Sequence, residues 1–246
     1  MMPLSSGQDT SKRAAAARVV KKFEDGMVLG LGKRIDRRIR GRSSWKPLTE
    51  HIVKGLRVVG IPTTEATAAL GQRFGVPLTN FAEHRHIDVT IGGADQVERG
   101  TLNRVKGLSG ALLREKILAS ASDRMFDDDE TKLVGWLGGH TPLPVEIVLF
   151  AWQTVLDRPT AIGCVPRLRL AGGKPFETDG GNYIADCAIA EMPDPAALEA
   201  RLSAMVGVVE NGLFIDMASM IVVGRPTGVE VIARPQMPPI TLPGGS

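Results

Sequence analysis

Three times before residue 100 an apolar run closes on glycine: MVLGLG at 27–32, RVVGIPTT at 57–64 and HIDVTIGGAD at 86–95. Runs this short are strands rather than helices, and a glycine at the end of each is the punctuation of a strand-to-helix turn in an α/β fold. The intervening segments supply the helices. Residues 10–24 (TSKRAAAARVVKKFE) set Ala and Val at helical spacing opposite Lys and Arg, behind a Thr or Ser able to cap. Residues 64–74 are a second helix, and LSGALLREKILASASD (108–123) is a third that starts on a glycine-containing loop. Repeated strand, loop and helix predict a parallel sheet whose loops gather at the C-terminal ends of the strands, where open α/β sheets bind ligands.

Beyond residue 142 the pattern changes. PVEIVLFAWQTVL (144–156) predicts a helix, CVPRLRLA (164–171) a strand, GGKPFETDGGN (172–182) a turn and YIADCAIA (183–190) a strand. DPAALEARLSAM (194–205) predicts a helix and VVENGLFID (208–216) a strand. This order is that of a small α+β unit with antiparallel strands. SMIVVGRP (219–226) is apolar enough to return to the main sheet, and PQMPPITLPGGS (235–246) is a Pro/Gly tail expected to be disordered. The expected architecture is α/β, with a mostly parallel sheet. A larger domain takes residues 1–138 plus 212–246, and a smaller α+β domain of residues 139–211 is inserted into it.

A chain of 246 residues with 43% hydrophobic content can bury a core of its own. No apolar run reaches the ~18 residues of a membrane span, and MMPLSSGQDTSKR lacks the apolar stretch of a signal peptide, so the cytoplasm is expected and a membrane partner is not. Cys164 and Cys187 are too few and too far apart for a disulfide framework or a CxxC metal site; they read as reduced core thiols, and no metal site is expected. The net charge of +3 is unevenly spread: residues 33–46 carry seven basic residues against Asp36, a local +6, which leaves −3 for the rest of the chain. A nucleic-acid patch built on this block, with Trp45 as a stacking residue, is the weaker alternative to a solvated loop, and no nucleic-acid partner is expected.

Four segments, in order, carry a family resemblance: IGGADQVE, KGLSGALLREK, LGGHTPLPVEI and GLFIDMASMIVVGRPTGVEVI. The chain resembles the ribose-5-phosphate isomerase A family from about residue 9 to residue 232, and KGxxGALxREK followed by PLPVE is specific to it. The resemblance implies a Rossmann-like sheet, a sugar-phosphate substrate, a homodimer or homotetramer, and an aldose-ketose isomerisation that needs no metal or redox cofactor. Such a reaction needs a carboxylate to move a proton between C1 and C2, donors for the enediolate and a pocket for the phosphate. By resemblance Glu115 is the base, Asp95 an acid/base group for ring opening or a partner of the sugar hydroxyls, and Lys106 a holder of the oxyanion. Gly92, Gly93, Ala94, Gly107, Leu108 and Ser109 would lie against the sugar, with Gly110 closing that loop, and Lys132 and Lys12 would be further substrate-binding lysines. A non-catalytic sugar-phosphate sensor is the alternative, since related folds serve regulators.

Three departures stand out. The family's phosphate cradle GSGST is here Gly32, Lys33, Arg34, Ile35, Asp36, with bulky side chains in place of small ones. Writing KRIDRR as AAG CGG ATC GAC CGC CGC and dropping one A restores SGSTA, so a frame shift over residues 33 to about 48 is the hypothesis for this block. Sequencing the encoding DNA tests it: an in-frame template for KRID would remove a sequencing error as the cause. Gly92 stands where the family's DGAD has its first aspartate, and FDDDETK (126–132) puts acids where an apolar strand is usual.

Overall fold

The computed structural model of this chain describes residues 19–32, 46–127, 132–139, 141–218, 220–225 and 228–234. Lys12, Lys33, Arg34, Ile35, Asp36, Trp45, acids 128–130 and the tail from residue 235 lie outside the described residues, as does most of the expected first helix.

Four parallel strands form the main sheet in the order β2-β1-β3-β6: β1 (Val28–Leu31), β2 (Val59–Pro62), β3 (Ile87–Gly92) and β6 (Ser122–Asp127). All of β1 is buried, as a parallel strand covered on both faces requires. Helices α1 (Lys46–Val53), α2 (Glu65–Arg73) and α3 (Leu112–Ser120) make the crossovers. Thr64 caps α2, its hydroxyl accepting from the Thr67 N–H at 3.0 Å, and so converts the end of the second strand directly into a helix. Leu29, Leu31 and Val89 of the sheet pack with Val19, Val20 and Phe23. A fully buried side chain of this kind contributes about 1.5–3 kcal/mol.

Two further sheets follow. The order β14-β5-β4-β7 joins β14 (Leu213–Phe214), β5 (Arg104–Val105), β4 (Gln96–Glu98) and β7 (Leu133–Val134). The antiparallel order β13-β8-β12-β9 joins β13 (Val208–Asn211), β8 (Leu143–Ile147), β12 (Tyr183–Ala188) and β9 (Val165–Leu168), with α5 (Pro195–Ser203) packed beside β13. Its core gathers Leu143, Val145, Ile147, Ala185, Leu202 and Leu213 together with Cys164 and Cys187. Both cysteines are free and buried. A hydrogen bond with Cys164 and burial push the Cys187 thiol up.

Several sequence expectations are corrected here. The helix expected over 144–156 is instead the central strand β8 followed by a short helix α4 (Trp152–Leu156). An apolar run of this length has no period that separates a buried strand from a buried helix. Pairing decides it: Val145 lies opposite Ala185 on one side and Asn211 on the other, and Ala151 breaks the run in a left-handed turn at φ 55°. The strand expected over 208–216 divides at Gly212, whose N–H donates to Pro144 O and whose carbonyl accepts from the Lys106 N–H, so its halves serve different sheets. The strand over 164–171 likewise breaks at Arg169, leaving β10 (Leu170–Ala171) to pair with β11 (Lys174–Pro175) inside the expected turn. Met220–Arg225 (β15) packs against β6 but pairs with β16 (Gly228–Ala233) as a hairpin rather than as a further parallel strand. Among the described residues no helix is long and apolar enough to cross a membrane.

Candidate active site

The C-terminal ends of β1 and β3 meet at two glycines. Gly32 donates its N–H to Ile91 O at 2.8 Å, and a Cβ on Gly32 would stand 2.7 Å from that oxygen and 3.0 Å from the Gly92 Cα. Only a residue without a side chain allows this approach. Beyond β3 the chain runs through Gly93, buried Ala94 and half-buried Asp95 into β4. The Asp95 N–H is held by Val105 O at 2.8 Å, while its carboxylate accepts from the Leu108 N–H at 2.9 Å.

Lys106 follows β5 and turns inward, its side chain 1% exposed. Its ammonium donates to Gly93 O and lies 3.5 Å from a carboxylate oxygen of Glu115, whose side chain is 6% exposed. Glu115 sits in the first turn of α3, where the helix dipole favours a carboxylate. Burying an ammonium and a carboxylate is costly unless they compensate one another, and here they do. Phe214 closes this side: its ring lies 5.4 Å from the Lys106 ammonium and 5.5 Å from that of Lys116. The site therefore offers a carboxylate, a cation beside it and a strand-end backbone.

The loop Gly107, Leu108, Ser109, Gly110 crosses this site, with Leu108 and Ser109 exposed. Gly110 has φ +87°, and a Cβ there would come within 2.4 Å of the Phe176 ring. A side chain is excluded twice over, by backbone and by space.

The structure thus brings Gly32, Gly92, Gly93, Ala94, Asp95, Lys106, the 107–110 loop and Glu115 together. Lys132 is half-buried immediately before β7. Sequence reasoning missed the residues that hold this site from behind. Lys116, the residue after Glu115, is buried and bridges Glu210 at 2.6 Å and Glu199 at 3.3 Å. Arg169 was hidden within an apparent strand, where its charge in an apolar run was the only signal. Among the described residues one group of possible metal ligands, His86, Asp88 and Asp123, has its donor atoms within 4.8 Å. It lies at the opposite, N-terminal ends of β3 and β6.

Comparison with known proteins supplies a further finding. The family model for ribose 5-phosphate isomerase A (phosphoriboisomerase A) matches residues 59–228. The ribose-5-phosphate isomerase A of Gloeobacter violaceus is 46% identical over 231 residues, covering 94% of this chain and 99% of that protein. That of Gluconobacter oxydans is 42% identical over 234 residues, covering 92% and 98%. Among solved structures, ribose 5-phosphate isomerase A of Methanocaldococcus jannaschii superposes with a TM-score of 0.82 at 32% identity, over 92% of this chain and all (100%) of that one. A D-ribose-5-phosphate isomerase solved in complex with phospho-erythronic acid superposes with a TM-score of 0.83 at 32% identity, over 92% and 99%.

Proposed function

We propose that this chain, which belongs to the ribose 5-phosphate isomerase A family, uses Glu115 as the base that moves a proton between C1 and C2 of its sugar phosphate. It is an aldose-ketose isomerase that interconverts D-ribose 5-phosphate and D-ribulose 5-phosphate. The observation that carries the assignment of the base is the buried Lys106–Glu115 pair at 3.5 Å, at the C-terminal end of the parallel sheet.

In this reading the Glu115 carboxylate takes the C2 proton of the open-chain aldose. The electrons of that C–H bond form the C1–C2 double bond of a cis-enediolate, and the C1 carbonyl oxygen becomes the oxyanion. The C2 hydroxyl proton passes to the C1 oxyanion, so that O2 carries the charge. As the C2 carbonyl forms, the C1–C2 double bond takes the proton back from Glu115 at C1, leaving the ketose with a C1 hydroxyl. General-base catalysis of this kind contributes about 10²–10⁴-fold. Lys106, held by Gly93 O and directed by Glu115, is the cation for the developing oxyanion, a role in which one donor is worth roughly 10²–10³-fold. Asp95 opens the sugar ring or holds its hydroxyls, and Gly92, Gly93, Ala94 and the 107–110 loop lie along the sugar. Gly32 starts the phosphate loop, whose sequence continues through Lys33, Arg34, Ile35 and Asp36; Lys12 helps hold the phosphate, and Lys132 is a further substrate-binding lysine.

The test is turnover of ribose 5-phosphate by the purified chain, with Glu115→Gln as control. Turnover that disappears in the control is the expected result. A folded wild-type chain without turnover, or a Glu115→Gln variant that keeps its rate, would overturn the assignment. We place the activity in the non-oxidative pentose phosphate pathway, in the cytoplasm, in a homodimer or homotetramer. Light scattering of the purified protein checks the last point. The proposed division of the chain is a larger α/β domain of residues 1–138 plus 212–246 and a smaller α+β domain of residues 139–211.

A further inference from the structure

We propose that Arg169, from the small antiparallel sheet, is a positioning residue that holds the 107–110 loop in its substrate-facing orientation. The inference rests on the reading above that this loop lines the sugar site.

Arg169 stands at the break between β9 and β10, with its backbone fixed on both sides: its N–H donates to Ile184 O at 2.8 Å, and its carbonyl accepts from the Phe176 N–H at 2.9 Å. Its side chain is 13% exposed. Two guanidinium nitrogens hold the Asp186 carboxylate, Nε at 2.8 Å and Nη2 still closer, a bidentate pair that fixes the plane of the fork. The remaining nitrogen, Nη1, points away from Asp186 and donates to Gly107 O at 3.0 Å and to Leu108 O at 3.3 Å. The guanidinium also lies 5.9 Å from the centre of the Phe176 ring, the ring that fills the space beside Gly110.

These contacts set the polarity of the loop. Consecutive carbonyls, of Gly107 and Leu108, are drawn to one cation on the side of the small sheet. The Leu108 N–H is thereby presented to the other side, where Asp95 receives it. A single peptide flip at this place would remove a carbonyl from Arg169 and turn an N–H away from Asp95, so the two anchors stand or fall together. Asp186 is a half-buried residue of β12, registered against Pro144 of β8 and Arg167 of β9. The orientation of the loop is therefore set by a sheet that contributes no group to the proposed chemistry.

The experiment compares the wild type with Arg169→Met, Arg169→Lys and Asp186→Asn in three readouts: thermal unfolding, kcat and KM separately, and hydrogen exchange of the 107–110 amides. Arg169→Met is expected to lower kcat/KM roughly 10- to 100-fold, the factor for losing a hydrogen bond to a charged group. Most of the loss is expected in KM, because the loop binds substrate and transition state alike. The loop amides should exchange faster in the same variant. Asp186→Asn should move KM and exchange in the same direction by less, and Arg169→Lys should not rescue, since an ammonium cannot span a carboxylate and two carbonyls together. Folded Arg169→Met with kcat/KM within about twofold of wild type, or with unchanged loop exchange, would overturn the proposal. Should Arg169→Met fail to fold, unchanged KM and unchanged exchange in both Arg169→Lys and Asp186→Asn would overturn it equally. Hydrogen exchange needs no turnover, so an inactive wild type would defeat the functional reading while leaving the pinning of the loop to be decided by that measurement.

Discussion

Lys116→Met separates the helix that carries Glu115 from the elements that hold it. The Lys116 side chain is 8% exposed, its ammonium 2.6 Å from Glu210 and 3.3 Å from Glu199, and it faces the Phe214 ring. Methionine keeps most of the volume but strands two carboxylates. Removing one partner of a buried pair costs about 3–5 kcal/mol. Both acids here keep other donors: Glu210 accepts from the Asn211 N–H at 2.7 Å, and Glu199 from the Ser203 hydroxyl at 3.1 Å. They are also 20% and 29% exposed, so water takes up part of the lost interaction. The expected loss is then about 2–3 kcal/mol. With a urea slope near 3 kcal/mol/M, the unfolding midpoint falls by roughly 0.7–1 M. The assay is urea unfolding at pH 7 of the wild type, Lys116→Met, Glu210→Gln and the double variant. In the double variant one stranded charge is gone, so Glu210→Gln should cost less in the Lys116→Met background than in the wild type, with a coupling of about 1 kcal/mol or more. A Lys116→Met loss under about 1 kcal/mol, or a cost of Glu210→Gln that is the same in both backgrounds, would refute the reasoning.

Gly92→Asp restores the acid that the family motif carries. The added Cβ would stand 3.1 Å from the Lys106 ammonium and 3.5 Å from the Met125 methyl, and a flexible lysine end can yield by a few tenths of an ångström. The variant is expected to fold with an unchanged melting temperature and to raise kcat/KM by the same factor in both directions, as the fixed equilibrium constant demands; a fall in kcat/KM would show that the acid competes with Glu115 for Lys106. Asp25→Asn tests an exposed pair, in which hydrogen bonds from the Arg57 backbone N–H and guanidinium hold the Asp25 carboxyl below its ordinary value. A carboxyl depressed in the folded state adds stability that is present above its unfolded pKa and lost as pH falls through its folded pKa. The variant should therefore melt slightly below the wild type at pH 7, and the difference should close as the pH drops below 3.8, the ordinary value. A gap that persists in acid would assign it to something other than charge.

Local chemistry alone determines a good part of this protein. Short apolar runs that end in glycine can satisfy their backbone only as strands of a covered sheet, and MVLGLG, RVVGIPTT and HIDVTIGGAD take up β1, β2 and β3 side by side. Thr64 announces its helix by its own hydroxyl. Asp95, Lys106 and Glu115 were singled out by the family resemblance of their segments, not by local chemistry, although the turn after β3, the loop at Gly107 and the first turn of α3 near which they lie are each local structures. Other features depend on partners far along the chain. Whether 143–147 became helix or strand was settled by two neighbouring strands, β12 and β13, that its own apolar pattern could not foretell. Lys116 meets Glu210 across 94 positions, and Arg169 meets Gly107 across 62. A charged residue in a sequence carries no mark of whether water or a buried partner will compensate it. That choice is made when sheets pack, because desolvation turns an ordinary surface charge into one that must be paired.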